Sequence, residues 1–512
     1  MGKVAVATSS QIAAKAGAAI AGDGGNAVDA AVAAVLVALC TEVGIIGPGA
    51  SGFIAVDALE SAPVVIDANA EMPGRGLATD RFGRGGHRIW MGYGGGMETI
   101  VGWGSVAIPG AFAGLADAHS FFGRVPWALL FEPVIAIIEN GFPLSAASGE
   151  YLSHAHDAIY GWDEQSRAVI HPNGKPVAAG DVLRIDHLAD TLRRLAADPR
   201  DLYDGDLAAT AVLASEENAG ILTAADLSGY QPVWREPTLI DVDGWRVATN
   251  PPPAVGGVTM AAILLLMGLE DLDEWDESTL HRYATIQRAV MRYRREHLDP
   301  YGERAERARE LLDLARAGRS DDLMRSPSTI HTSAVDDGGL GIAITLSAGY
   351  GSGAMIPGTG FWMNNSLGEV ELTGEGFHSL DPGTRLVSNM APTLARRENR
   401  SVMSLGSPGA DRITTAIASV LLNHLHLGMP LQQAVDFPRM HVETFEGQAT
   451  IAHERGLPVT PFDDFITREF EDLSMYFGGV AAATWTPDGG VEGAADPRRD
   501  CAVAIAGVPT GT

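Results

Sequence analysis

Cysteine is scarce in this chain, which holds only Cys40 and Cys501 among its 512 residues. A chain of this length that depended on disulfides would carry more, so nothing indicates a secreted disulfide scaffold. Cys40 lies in an apolar run, and we expect it in the core. The first 17 residues lack the continuous apolar segment and small-residue cleavage site of a signal peptide. We therefore expect a cytoplasmic protein.

Basic residues and long apolar runs are also few. There are 36 lysines and arginines against 64 aspartates and glutamates, and the net charge is −28. Such a surface repels phosphate backbones and anionic membranes. The longest apolar stretch, residues 30–40, is far shorter than the roughly 20 residues that span a bilayer. We predict neither a nucleic-acid nor a membrane partner. The acidity fits solubility better than attraction of cationic substrates, and both interpretations stay open.

Motifs for metals and common cofactors are missing. The 14 histidines include no H-x-x-x-H or H-E-x-x-H group, and two H-x-H pairs have no nearby partners, namely His154 with His156 and His424 with His426. Residues 22–27 match the G-x-G-x-x-A pattern of dinucleotide-binding proteins, but a helical pattern, not a strand, precedes them. We predict no metal and no cofactor, with nicotinamide binding as a weak alternative.

The chain does hold enough apolar material for a large core, since 46 % of its residues are hydrophobic. No linker or repeat divides it. Hydrophobic spacing predicts mixed α and β content. The predicted helices are a close-packed pair within residues 11–43, then 134–140, 191–197, 259–269 and 281–317, and the first predicted strands are 52–57 and 63–67. The Arg- and Glu-rich pattern of the last helix indicates a mostly solvated face.

A β-hairpin is predicted after residue 328. Its arms are residues 329–335 and 341–347, and the Asp-Asp-Gly-Gly turn between them supplies residues that tight reversals require. A threonine before a strand means little by itself.

Ordered motifs along nearly the whole chain resemble those of the γ-glutamyltranspeptidase family. The matching segments are residues 24–31, 106–110, 122–127, 222–227 with Tyr230, 251–253 with 256–257, 329–331, 364–365, 390–393 and 406–409. The resemblance implies an α+β fold, the four-layer αββα sandwich of N-terminal-nucleophile (Ntn) hydrolases. It also implies an inactive precursor that is cut between Ser328 and Thr329 to leave fragments 1–328 and 329–512. These would form a heterodimer, with a dimer of that heterodimer left open.

The same resemblance assigns the chemistry to Thr329. A threonine hydroxyl is a weak nucleophile, but a freed α-amine titrates near pH 8 and can take up the hydroxyl proton. Ser347 stands where the family has a second hydroxyl that hydrogen-bonds the nucleophile. Gly409 and Ala410 stand where the family has a Gly-Gly pair whose N–H groups bind the oxyanion, and the extra methyl is tolerable if φ at Ala410 is negative. The alternative is an ordinary turn.

The substrate pocket departs from the family pattern. The family arginine that clamps a substrate carboxylate is replaced by Ala70, and Arg75 is a candidate substitute. The resemblance implies five other substrate-binding residues. Gly349 stands where the family has an asparagine. Ser366 and Glu369 stand where it has Gln and Asp, and Ser388 and Asn389 where it has a pair of serines. Glu369 either receives an amine or is a solvated turn residue. His331 shares a face with Thr329, and packing is favoured over catalysis.

We therefore predict an autoprocessing amidohydrolase that cleaves a small-molecule amide through an acyl-enzyme. The acyl group is open between γ-glutamyl and a group without an α-amine, because relatives include cephalosporin acylases and oxamate amidohydrolase. One alternative is a γ-glutamyl acyltransferase acting on glutathione-like donors. Another is an uncleaved binding protein or pseudoenzyme on the same fold.

Overall fold

The computed structural model of the protein describes residues 2–92, 97–268, 272–300, 302–317, 329–370, 376–445, 448–460, 462 and 464–507. Ser328, on the upstream side of the predicted scissile bond, and Leu269, the end of one predicted helix, lie outside these residues.

Strands come from both parts of the chain. Before Thr329 they are β1 (Val4–Thr8), β2 (Ser51–Asp57), β3 (Val64–Ala68), β4 (His87–Met91), β5 (Met97–Val101), β6 (Phe142–Pro143), β7 (Val182–Leu183), β8 (Val233–Arg235), β9 (Thr238–Val242) and β10 (Trp245–Thr249). After it they are β11 (Ile330–Asp336), β12 (Gly341–Ser347), β13 (Met355–Ile356), β14 (Phe361–Trp362), β15 (Thr393–Arg397), β16 (Val402–Gly406), β17 (Met440–Phe445), β18 (Gln448–Glu454), β19 (Ile466–Phe470), β20 (Ala481–Thr486), β21 (Gly490–Ala495) and β22 (Ala502–Ala506).

The helices are, in chain order, α1 (Gln11–Gly22), α2 (Ala27–Thr41), α3 (Ala111–Phe122), α4 (Glu132–Asn140), α5 (Ala146–Ala155), α6 (Glu164–Ile170), α7 (Leu188–Ala197), α8 (Asp201–Asp204), α9 (Asp206–Glu217), α10 (Ala224–Gly229), α11 (Gly256–Met267), α12 (Glu277–Tyr293), α13 (Arg304–Arg316), α14 (Arg412–Leu421) and α15 (Leu431–Asp436). The predicted helices and strands that precede residue 270 are thus confirmed, with ends shifted by a few residues.

Two stacked β-sheets form the centre of the molecule. The first has the strand order β22-β1-β11-β12-β2-β3-β8, and the second has the order β21-β20-β16-β15-β10-β9. Side chains from the first sheet, such as Phe53 and Ala343, meet Ala248 and Leu394 of the second in a buried layer. Helices α1, α2 and α3 cover the outer face of the first sheet, and α11 to α14 cover that of the second. This is the predicted αββα sandwich.

The α1–α2 pair is held close by small residues. A side chain at Gly17 would lie 2.6 Å from the Ala30 carbonyl oxygen, so the helix backbones nearly touch. Asn26 and Asp29 form a reciprocal capping box that begins α2. Because helix α1 precedes residues 22–27, the strand that a dinucleotide-binding motif requires is not there, and the nicotinamide alternative is disfavoured.

The single long helix predicted over residues 281–317 is wrong. Helix α12 ends at Tyr293, a π-helical turn follows at Arg294–Leu298, and α13 starts only at Arg304. Pro300 lies in the break and has no N–H to continue the helix. The solvated face is also incomplete, because Arg294 is fully buried and donates to Asp299 at 3.0 Å, and Arg304 is buried too.

A buried acid follows α2. The Glu42 carboxylate accepts a hydrogen bond from Ser9 Oγ at 2.5 Å, and its side chain is almost inaccessible. Burial raises the pKa of this carboxyl to about 7, although hydrogen bonds from Ser9 and Ser10 and the charge of Arg499 act in the opposite direction. Cys40, nearby in α2, is buried as predicted.

No helix among the described residues is both long enough and apolar enough to cross a membrane.

Candidate active site

One edge of the sandwich gathers the predicted catalytic residues. Strand β11 begins directly after Thr329, and β12 ends at Ser347. The His331 ring packs on Gly406, the last residue of β16, because a side chain at Gly406 would lie 2.4 Å from the ring. The start of β11 and the end of β16 therefore share an edge, and the Gly409–Ala410 turn follows β16 there.

Three hydroxyl residues line up across neighbouring strands at this edge. In the register, Ile330 pairs with Leu346 and Ser347 pairs with Ser51. Continued by one residue, the same register sets Thr329 opposite Ser347. Opposed residues of antiparallel strands point to one face, with Cβ atoms about 4.5–5.5 Å apart. Thr329 and Ser51 are almost fully buried. Thr329, Ser347 and Ser51 therefore form a row of hydroxyls that faces the second sheet.

Backbone N–H groups fix two of these hydroxyls. Ser347 Oγ accepts from the Gly349 N–H at 3.0 Å, and Ser51 Oγ accepts from the Gly110 N–H at 2.9 Å. A hydroxyl that accepts such a bond still has its own proton to donate. This placement is compatible with the predicted role of Ser347 beside Thr329, which stays a prediction.

The candidate oxyanion hole has an unexpected backbone conformation. Gly409 has φ +122° and Ala410 has φ +67°, so the condition of a negative φ at Ala410 is not met. For a residue with a Cβ, the left-handed region costs roughly 1–2 kcal/mol. Position 409 requires glycine, because its backbone approaches Gly478 so closely that a side chain would lie 2.8 Å from the Gly478 Cα.

The N–H groups of this turn are available to a ligand. Gly409 and Ala410 are buried, yet neither N–H donates to any residue that the structure describes. Nearly all buried N–H groups in proteins have an acceptor. Helix α14 begins two residues later at Arg412, and the positive end of a helix favours negative charge nearby. The arrangement suits an oxyanion.

His331 is a poor candidate for a base. Its Nδ1 lies 2.8 Å from Thr345 Oγ1 and its Nε2 lies 2.7 Å from Ser333 Oγ. Burial lowers the pKa of the imidazole to about 3, so the ring is neutral at physiological pH. Both ring nitrogens are engaged inside the sandwich, which supports the packing interpretation over catalysis.

The Asn364-Asn365 pair braces the neighbouring loops, a role that the sequence motif alone did not reveal. Asn364 accepts from the Ala107 N–H at 3.0 Å and donates to the Gly49 carbonyl at 2.8 Å. Asn365 accepts from the Tyr350 N–H at 2.6 Å. These bonds tie the loop after Ser347 to the rest of the first sheet's edge.

Gly349 and Glu369 adjoin this brace. Gly349 has φ +63°, and a side chain there would lie 2.1 Å from Asn365 Oδ1 and 3.1 Å from Glu369 Oε1. The asparagine that the family has at this position would not fit. Glu369 is 4 % exposed, which contradicts its interpretation as a solvated turn residue. The Glu369 carboxylate thus lies close to the Gly349 backbone, on the loop that follows Ser347.

Ser388 and Asn389 lie at the same edge, just before β15, while Ser366 follows the Asn-Asn pair. Ser388 Oγ accepts from the Met390 N–H at 3.2 Å, and the Ser366 N–H donates to Asn364 at 3.1 Å. Asn389 is 2 % exposed, yet neither atom of its amide has a partner among the described residues. An unpaired buried amide costs about 1–3 kcal/mol, so a bound ligand is a reasonable partner.

Arg75 forms ion pairs with carboxylates of the protein itself. Its guanidinium lies 2.8 Å from Glu71 and 3.3 Å from Asp226. Two carboxylates neutralise it, which disfavours a role as the missing carboxylate clamp.

Sequence reasoning overlooked Arg385, which lies 3.2 Å from Glu71 and stacks over Tyr230 at 4.5 Å. In the sequence, only the position of Arg385 three residues before Ser388 could have indicated that it lies near the candidate site.

Known proteins resemble this chain over most of its length. A family described as Gamma-glutamyltranspeptidase matches residues 13–506. A glutathione hydrolase proenzyme of Pseudomonas aeruginosa is 30 % identical over 85 % of this chain and 82 % of its own length. An acylase ACY 1 proenzyme of Pseudomonas sp. strain V22 is 30 % identical over 98 % and 93 %. The crystal structure of cephalosporin acylase from Bacillus halodurans superposes with a TM-score of 0.82 at 25 % identity, covering 98 % and 96 %.

Proposed function

Because this chain belongs to the γ-glutamyltranspeptidase family, we propose that it is a precursor cut before Thr329 whose new N-terminal threonine hydrolyses a small-molecule amide. The observation that carries this proposal is the strand register, which sets Thr329 opposite Ser347 at the edge that also holds the Gly409–Ala410 turn. The glutathione hydrolase and the acylase ACY 1 described above are both named as proenzymes.

The proposed cycle has two half-reactions. Thr329 Oγ attacks the amide carbon and its proton passes to the freed α-amine. The N–H groups of Gly409 and Ala410 stabilise the oxyanion, and the α-amine then protonates the leaving amine. Water attacks the resulting ester in the same way, which releases the carboxylic acid and restores Thr329. Ser347 orients the nucleophile through its hydroxyl.

Cleavage before Thr329 would use the same hydroxyl but not the α-amine, which is still the nitrogen of the bond to be cut and takes up the hydroxyl proton as it leaves. Thr329 Oγ attacks the carbonyl carbon of residue 328, the peptide nitrogen leaves as the new amine, and water hydrolyses the ester. Holding the hydroxyl against its own upstream carbonyl makes this attack effectively intramolecular. The product is a heterodimer of fragments 1–328 and 329–512.

For the substrate, we favour an acyl group without an α-amino acid head. The family's carboxylate clamp is Ala70 here, and Arg75 is held by Glu71 and Asp226. The relatives named as acylases match a larger share of this chain than the glutathione hydrolase does. Glu369 and the unpaired Asn389 amide are the polar groups we assign to substrate contact.

Intact-mass analysis tests the cleavage. The wild-type protein should give two chains whose masses place the break between residues 328 and 329. Thr329→Ala should give one uncut, inactive chain, and Thr329→Ser is the matched control that keeps a hydroxyl and should still be cut. An uncut wild-type chain would favour the binding-protein alternative, and turnover by uncut protein would refute the mechanism.

An amide panel tests the substrate class. The panel holds γ-glutamyl-p-nitroanilide, glutaryl-p-nitroanilide and oxamate. The two acyl groups share the distal carboxylate and differ only in the α-amine of the γ-glutamyl compound. In a site for an acyl group without that amine, the ammonium is buried without a paired charge, so kcat/KM for the γ-glutamyl compound should be at least about 10-fold below that for the glutaryl compound. The opposite order would favour glutathione-like donors. Adding glycylglycine and searching for its acylated product separates transfer from hydrolysis.

The cytoplasmic location stays a prediction, and we propose that cell fractionation will find the protein in the soluble fraction.

A further inference from the structure

A buried charged cluster lies directly behind the candidate oxyanion hole. Asp411 follows Ala410 and is 3 % exposed. Its carboxylate lies 2.9 Å from Arg412 Nη1 and 3.9 Å from His441 Nε2. His441 is itself held by Thr415 Oγ1 at 3.1 Å from Nδ1. The acid is therefore fixed between two elements, the first turn of α14 and strand β17.

The charge of this cluster is preserved despite its burial. Burial alone would raise the pKa of Asp411, but Arg412, His441 and Arg294 together hold it below its usual range. Arg412 is anchored in turn, because its Nε donates to the Tyr476 carbonyl at 3.0 Å and its guanidinium lies 4.7 Å from the centre of the Tyr476 ring. Asp411 thus stays an anion with fixed partners.

Both sides of Ala410 are consequently immobilised. On one side, Gly409 is packed against the Gly478 backbone, and Ser407 Oγ accepts from the Gly479 N–H at 3.0 Å. On the other side, the Asp411 ion pairs fix the start of α14. Ala410 lies between the two and is the residue at φ +67°. Strain of this kind persists only where the surroundings impose it.

We infer that Asp411 is a positioning residue that holds Ala410 in the left-handed conformation and so keeps the oxyanion-binding N–H groups in place. This inference rests on the proposed function. Without the ion pairs, Ala410 relaxes to a negative φ, the peptide rotates, and the hole is lost in that fraction of molecules. Glycine at position 410 has no such preference, since it populates positive φ as readily as negative φ.

A double-mutant cycle tests the inference. Asp411→Asn should lower kcat by about 5- to 30-fold, the ratio that the preference of a non-glycine residue for negative φ implies, with little change in KM. In an Ala410→Gly background the same substitution should lower kcat by less than about twofold. Glutaryl-p-nitroanilide or γ-glutamyl-p-nitroanilide is the probe, whichever the wild-type protein turns over faster. Rates are scaled to the cleaved fraction measured on a denaturing gel.

Asp57→Asn is the matched control, because Asp57 is also a buried acid, paired with Arg396 at 2.7 Å, but at the far end of β2. It should lower thermal stability and show no dependence on residue 410. An equal loss of kcat for Asp411→Asn in both backgrounds, or an unchanged or higher kcat with alanine at 410, overturns the inference. Failure of the wild-type chain to cleave or turn over either anilide instead counts against the proposed function.

Discussion

Glu42→Gln is expected to stabilise the protein above neutral pH and to remove part of its pH dependence. The Glu42 carboxyl is 6 % exposed, and its pKa is raised from the ordinary 4.5 to about 7, mainly by burial. The folded state therefore binds the proton more tightly than the unfolded state. The contribution of Glu42 to the free energy of unfolding is therefore fully present below pH 4.5 and is lost as the pH rises through 7.

The magnitude follows from the two pKa values. One pKa unit corresponds to about 1.4 kcal/mol, so the rise from 4.5 to about 7 amounts to about 3 kcal/mol. Glutamine is neutral at every pH, and its Oε1 can still accept the hydrogen bond from Ser9. The variant should therefore gain up to about 3 kcal/mol over the wild type at pH 8 and almost nothing at pH 4.5.

Urea unfolding at pH 5, 6, 7 and 8 measures this difference. Thr329→Ala is the background, so that a single uncut chain unfolds in each sample. Glu150→Gln, an exposed glutamate on α5, is the control and should shift no midpoint appreciably. A Glu42→Gln variant that is less stable at pH 8, or an advantage that does not grow between pH 5 and 8, would refute the reasoning.

Three further predictions concern the site. Gly349→Ala should lower the melting temperature more than Gly428→Ala, because both glycines have positive φ but only the first would place a Cβ 2.1 Å from another atom; equal shifts would contradict the clash. His331→Asn should destabilise the protein by about 1–3 kcal/mol through its lost hydrogen bonds. It should remove no limb of the pH–kcat profile between pH 6 and 9, since the pKa of His331 is about 3; a lost limb would make it a base. Asn389→Ala should raise both the melting temperature and KM, because it removes an unpaired buried amide that we assign to the substrate; an unchanged KM on the preferred anilide would exclude that role.

Local sequence patterns were sufficient for the hairpin that carries the nucleophile. Alternation on both arms and the Asp-Asp-Gly-Gly turn predict β11 and β12, and the structure has them within one residue of the predicted ends. A hairpin also fixes its own register, so the pairing of Thr329 with Ser347 follows from two short segments of chain.

Features that depend on distant residues could not be predicted. The positive φ of Ala410 depends on Gly478 and on Asp411, whose neighbour His441 lies on β17. Arg294 looked solvated because helical periodicity says nothing about Asp299, its partner after a π-helical turn. The engagement of Arg75 by Asp226, 151 residues away, was equally invisible.

The strand order has a consequence for what scission leaves behind. In the first sheet, β1 from the N-terminal part lies between β22 and β11 from the C-terminal part, and β12 borders β2. Strands of the two parts therefore alternate within one sheet and do not form two separate units. Breaking one peptide bond therefore yields two polypeptides that cannot separate without breaking four ladders, three in this sheet and β10–β15 in the second sheet, so each should unfold only when the other does.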